Sequence, residues 1–114
     1  MEIRARDTDR ELLLEISGDI DHHGARSALK EVEMAIDAAL PRTLILDFAG
    51  VTFMDSSGIG LIMGRYKQMQ MISGTLRVTN VPNYIKRVIR LSGLDKLGVL
   101  EREKDVKKED ESHQ

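Results

Sequence analysis

The chain has 114 residues, 41% hydrophobic and 32% charged with 2 Pro, enough for one domain with a real core and too few for two, and not the composition of a disordered, collagen-like or coiled-coil protein. Lys and Arg number 17 against 19 Asp and Glu, a net charge of -2, so no general basic field exists to draw nucleic acid or an anionic membrane, and 4% aromatics with no Trp disfavour a stacking platform for bases or sugars. With 0 Cys, disulfides, thiolate metal sites and cysteine nucleophiles are excluded.

The opening residues Met1 to Asp7 lack the apolar core of a signal peptide, and runs such as Leu12 to Leu14 are far too short to span a bilayer. A soluble, cytoplasmic protein is expected. Ile3-Arg4-Ala5 and Leu12 to Ser17 read as two strands around Asp7-Thr8-Asp9, whose small polar residues suit a turn. From His22 to Leu40, Ala25, Ala28, Leu29, Val32, Ala35, Ile36, Ala39 and Leu40 recur at three and four positions, predicting an amphipathic helix capped by Asp21 and ended by Pro41.

Thr43 to Phe48 is a nearly continuous apolar run, as expected of a central strand covered on both faces. Gly58 to Ile72 predicts a second helix, with Ile59, Ile62, Met63, Tyr66, Met69 and Ile72 inward, Arg65, Lys67 and Gln68 towards solvent, and Ser73-Gly74 as its stop. Thr75 to Thr79 alternates as a strand. Pro82 starts a third helix carrying Tyr84, Ile85, Val88, Ile89 and Leu91, Ser92-Gly93 closes it, and Leu97 to Leu100 is expected as a last short strand. The fold class is therefore α/β: a single domain with a mixed sheet of four to five strands and helices packed against it. Residues 101–114 carry four basic and six acidic side chains with Val106 as the sole aliphatic, so a frayed polar tail is expected there.

In such folds, functional groups gather where strand ends feed helix starts, which selects Gly18 to His23 and Asp55 to Gly58. One capping side chain suffices at a helix start, yet Asp55, Ser56 and Ser57 stand in a row beside Gly58 and Gly60, each glycine lowering helix propensity by about 1 kcal/mol while baring backbone for a close neighbour. A hydroxyl there suits a phosphate, because first-turn N–H groups and the helix dipole favour the added charge of about -1.5 to -2. A serine hydrolase is disfavoured: Asp55 stands where the first glycine of a Gly-x-Ser-x-Gly elbow around Ser57 belongs. Gly58-Ile59-Gly60-Leu61-Ile62-Met63-Gly64 lacks the third glycine of a dinucleotide fingerprint, and Gly60 with Gly64 reads instead as a face for close packing on the sheet or a partner. His22 and His23 are adjacent and diverge on a helix, so Gly18 to His23 reads as loop and cap rather than a metal site.

Gly18-Asp19-Ile20-Asp21-His22-His23 and the block Phe53 to Gln68, Phe-Met-Asp-Ser-Ser-Gly-Ile-Gly-Leu-Ile-Met-Gly-Arg-Tyr-Lys-Gln, together with Leu91-Ser92-Gly93-Leu94, resemble the anti-sigma factor antagonists of the STAS family (sulfate transporter and anti-sigma factor antagonist). The resemblance implies a STAS-like domain over residues 1–102, followed by a tail at 103–114 where the family has an apolar final helix. It implies a non-enzymatic switch without cofactor. Its partner would be an anti-sigma factor that is itself a serine kinase binding ATP or ADP, and engaging it would free a sporulation sigma factor. Phosphorylation would fall on Ser57, with a serine phosphatase resetting the switch; Asp55, Ser56, Gly58 and Gly60 would flank it in the interface, and Asp21 would face the kinase. An alternative within the family is a small-ligand or nucleotide-binding module using the helix start at Ser56 to Gly58.

Overall fold

A computed structural model describes residues 1–100; the expected polar tail and its boundary at residue 102 lie outside the described residues. Thr8 faces Glu11 across a two-residue turn, joining β1 (Glu2–Thr8) to β2 (Glu11–Ile20) as an antiparallel hairpin. The strand thus runs through Asp7 and Thr8, two residues read from sequence as turn. The left-handed position falls on Arg10 at φ 70°, a conformation that costs a side-chain-bearing residue but is tolerated on an open loop.

Helix α1 (His22–Ala39) returns the chain to β3 (Thr43–Met54), and α2 (Ser56–Met71) returns it to β4 (Thr75–Thr79). Both crossings make parallel pairs, giving a mixed sheet in the order β1-β2-β3-β4. Helix α3 (Asn83–Ser92) follows, then a 3-10 turn at Leu94–Leu97 bracketed by Gly93 and Gly98, both with positive φ. The strand expected at Leu97 to Leu100 is reduced to one bridge between Leu100 and Val78, because the 3-10 turn and Gly98 consume its first half.

Leu12, Leu14 and Ile16 of β2, Leu44, Leu46 and Phe48 of β3, and Leu76 and Val78 of β4 point to one side and form a single buried cluster with Val32 and Ile36 of α1, Leu61, Ile62 and Met69 of α2, and Ile85 and Ile89 of α3. The helices therefore cover one face of the sheet. Ile45, expected to be buried like its neighbours, sits on the other face beside Leu13, in register with Arg6 and Arg77 and only half-buried. The apolar run of β3 is thus one-sided.

The helix faces also differ in detail from the periodicity. Leu40 takes the left-handed cap of α1 and is 65% exposed, Leu29 stands at the rim, and Tyr84 and Leu91 of α3 point outward. Ile72 falls just past α2 and is exposed rather than inward. Arg65, expected towards solvent, is 4% exposed. Its Nη2 meets Glu33 Oε2 of α1 at 3.3 Å, while Nε and Nη1 are buried with no hydrogen-bond partner among the described residues. Burial pushes the guanidinium pKa below its ordinary value, and Glu33 opposes that shift. Three residues on, Gln68 Nε2 donates to Asp37 Oδ1 at 3.3 Å, a second polar link between the same helices.

Candidate functional site

β2 and β3 begin together, Glu11 opposite Thr43, and end together, Ile20 opposite Met54, although β3 is longer by two residues. Two register shifts, one between Glu15 and Ser17 and one between Gly18 and Asp19, absorb the surplus. Gly18 at φ +87° occupies a backbone conformation that a side chain would strain, which suits the irregular stretch. Thr52 Oγ1 donates to Asp19 Oδ1 at 2.6 Å across the second shift. Because the strands finish level, Asp21 and Asp55 leave the sheet as neighbours, and the Asp55 N–H donates to the Ile20 carbonyl at 3.3 Å.

Each aspartate caps a helix in extended backbone geometry. Asp21 Oδ1 accepts from the Gly24 N–H at 2.7 Å, and Asp55 Oδ1 accepts from the Ser57 N–H at 2.8 Å. The capping expected from sequence is present at both positions, and it satisfies first-turn donors that would otherwise lack an acceptor. Ser56 is exposed and Ser57 half-buried. Among the described residues the Ser57 hydroxyl makes no hydrogen bond, so the side chain is not consumed by capping as its backbone is.

The two glycines do different things. A Cβ on Gly58 would lie 2.2 Å from Met54 Cγ and 2.4 Å from Met54 Sδ, so its bare backbone lets α2 start directly against the end of β3. Gly58 is buried and shapes the site from within. Gly60 has open space where a Cβ would be, and Gly64 likewise, so neither packs on the sheet; of the two partners considered for that face, the internal one is ruled out.

Between the first turns of α1 and α2 lies a groove of about 300 Å³ in which Ser57 and Gly60 face His22, Ala25, Arg26 and Leu29. Ser57 thus shares a mainly apolar cleft with the polar side chains of His22 and Arg26. His22 lines the same groove, yet no hydrogen bond joins it to Ser57 among the described residues, so the pair lacks the contact that activates a nucleophilic serine. Arg26 and Leu29 went unnoticed in the sequence because one reads as a solvated charge and the other as core; the signal available was their spacing of one turn from His22 and Ala25. Phe53, which opens the block Phe53 to Gln68, is exposed two residues before Asp55.

The STAS domain family matches residues 2–107 of the chain. An anti-sigma F factor antagonist from Paenibacillus polymyxa is 34% identical over 86 residues, which is 75% of this chain and 74% of that protein. Among solved structures, the anti-sigma factor antagonist SpoIIAA in its unphosphorylated form superposes with a TM-score of 0.76 at 24% identity, covering 97% of both chains. The Bacillus cell fate determinant SpoIIAA in the phosphorylated form gives 0.69 at 24% identity, over 94% of this chain and 98% of that one. The fold expected from sequence, an α/β domain with a mixed sheet, is the fold these structures share.

Proposed function

Because the chain belongs to the STAS domain family, and its relative from Paenibacillus polymyxa is an anti-sigma F factor antagonist, we propose that it acts in the cytoplasm as an anti-sigma factor antagonist switched by phosphorylation of Ser57. In the unphosphorylated form it binds an anti-sigma factor that is also a serine kinase, and the sporulation sigma factor held by that protein is released. The observation that carries this reading is the Ser57 hydroxyl, which has no internal hydrogen bond among the described residues and stands at a surface groove beside two capping carboxylates.

The chain serves as substrate and supplies no catalytic group. The Ser57 oxygen attacks the terminal phosphorus of a nucleoside triphosphate held by the kinase, the bond from that phosphorus to its bridging oxygen breaks, a nucleoside diphosphate leaves, and the hydroxyl proton passes to a base on the kinase. A phosphatase later transfers the phosphoryl group to water. Asp21, Asp55, Ser56 and Gly60 form the contact surface around Ser57, with Gly58 fixing the start of α2 beneath it. Phosphorylation ends the contact by charge and desolvation. Shifting a partner equilibrium from 99:1 to 1:99 takes about 5.5 kcal/mol, and like charges brought together or a buried unpaired charge cost several kcal/mol each. SpoIIAA, which shares this fold, has been solved in a phosphorylated form, and that supports the reading.

The test is incubation with the candidate kinase and ATP, followed by mass spectrometry and binding calorimetry. One phosphate on Ser57 and loss of kinase affinity are expected; full labelling of a Ser57→Ala variant overturns the assignment. Tight binding of nucleotide by the chain alone would favour a ligand-binding module at Ser56 to Gly58 instead.

A further inference from the structure

We propose that Arg26 holds the phosphate of phosphorylated Ser57 within the same molecule, so that modification closes the groove between α1 and α2 as well as adding charge. This rests on the reading of Ser57 as the phosphorylated residue. Arg26 lies in the second turn of α1 and lines the groove opposite Ser57. It is exposed and, among the described residues, makes no hydrogen bond or ion pair, so turning towards a new anion gives up no existing contact.

The groove supplies the reason a counter-ion is required. A phosphate on Ser57 would stand beside the Asp55 carboxylate, which already accepts the Ser57 N–H, and close to the second cap, Asp21. First-turn N–H groups offset part of that repulsion. The basic side chains facing the position are Arg26 and His22, and of the two the guanidinium offers a planar fork matched to phosphate oxygens. The rest of the lining is Ala25, Leu29, Gly60 and the buried Leu61, with no carboxylate among them. An Arg26–phosphate contact would span the mouth of this cleft of about 300 Å³ and tie the first turn of α2 to the second turn of α1. The phosphorylated surface would then be both more negative and shallower than the unmodified one.

The experiment uses full-length protein carrying phosphoserine incorporated at position 57 during translation, verified by mass, so that it does not depend on any kinase. The phosphorus NMR signal is titrated with pH in the parent chain, in Arg26→Ala, in Arg26→Gln and in the control Lys30→Ala. An opposing cation favours the dianion, so the second phosphate ionisation, ordinarily near pH 6, is expected to be lower in the parent than in either Arg26 variant by about 0.5 pH unit, roughly threefold in ionisation constant. Lys30→Ala should match the parent. Circular dichroism of each variant guards against misfolding, and His22→Gln in the Arg26 background separates the imidazole contribution. Superimposable titrations in the parent and both Arg26 variants would overturn the proposal. Absence of kinase labelling at Ser57 would instead count against the functional reading, leaving the encoded phosphoserine result to stand by itself.

Discussion

Asp21 and Asp55 start their helices from adjacent strand ends: Ile20 pairs with Met54, and the next residue on each strand is a capping carboxylate bonded to its own first turn at 2.7 Å and 2.8 Å. Two helix N-termini and their partial positive charges therefore converge on one patch of surface, each already met by one aspartate. Ser57 belongs to that patch through its backbone while its hydroxyl is left over for other chemistry.

The cap made by Asp21 and the kinase contact proposed for it separate into two measurements. Asp21→Ala should lose about 1 kcal/mol of stability, because the Gly24 N–H loses its acceptor. Asp21→Ser keeps a capping oxygen and removes the charge, so its melting temperature should stay near the parent's while kinase affinity falls. An Asp21→Ser variant with unchanged affinity would reduce Asp21 to a cap.

Ser57→Asp should fold normally and bind the kinase poorly. A carboxylate in the first turn of α2 is favourable to the helix by about 0.3 to 1 kcal/mol, but it stands next to Asp55 in the proposed contact surface. Thermal melting and calorimetry on the same preparation decide this: loss of the folding transition would show that the variant acts by unfolding.

Gly58 and Gly60 should respond oppositely to the same change. Gly58→Ala drives a methyl into Met54 and should cost about 1 to 3 kcal/mol in chemical denaturation. Gly60→Ala meets open space on an exposed helix surface and should stabilise by about 0.5 to 1 kcal/mol. If Gly60 is pressed against the partner, the same alanine weakens the complex despite the sturdier domain, and a titration of affinity against stability reveals the split.

Arg65 predicts an absence of pH dependence. Its pKa is lowered by burial, so the unfolded chain binds its proton more tightly than the folded one, and stability on this account rises only as pH passes upward through the lowered folded value. Below that value the penalty is constant, and denaturation curves between pH 6 and 8, a range of about 2 units within which an arginine stays charged, should show no slope removed by Arg65→Met. That substitution should be neutral or stabilising by about 1 to 4 kcal/mol, since it exchanges a buried, half-partnered cation for an apolar chain of similar reach. Glu33→Ala leaves the cation alone; because Glu33 is 46% exposed, a cost of about 1 kcal/mol is expected.

Most of the architecture was legible because its signals are local. Asp21 and Asp55 precede apolar periodicity, Gly93 follows it, and Thr75 to Thr79 alternates cleanly; each becomes the cap, stop or strand it resembles. The second half of β3 was not legible, since its buried residues Phe48, Val51 and Met54 fall every third position, a spacing that belongs to neither a regular strand nor a regular helix. The orientation of α2 was misjudged for a related reason. Hydropathy alone turns Arg65 outward, whereas the close approach of Gly58 to Met54 sets the helix so that Gly58, Leu61, Ile62, Arg65 and Met69 face inward. The groove beside Ser57 needed two helices to be placed against each other, which no single stretch of sequence encodes.

The surplus residues of β3 have an evolutionary consequence. Past Phe48, the exposed pair Ala49 and Gly50 precedes buried Val51, and the exposed pair Thr52 and Phe53 precedes buried Met54. A regular strand offers one outward position for each inward one; here the ratio doubles on the approach to Asp55. Surface identity in this stretch is thereby uncoupled from core identity. A chain of this fold can change what it presents beside the start of α2 while the interior that holds the helix in place stays fixed.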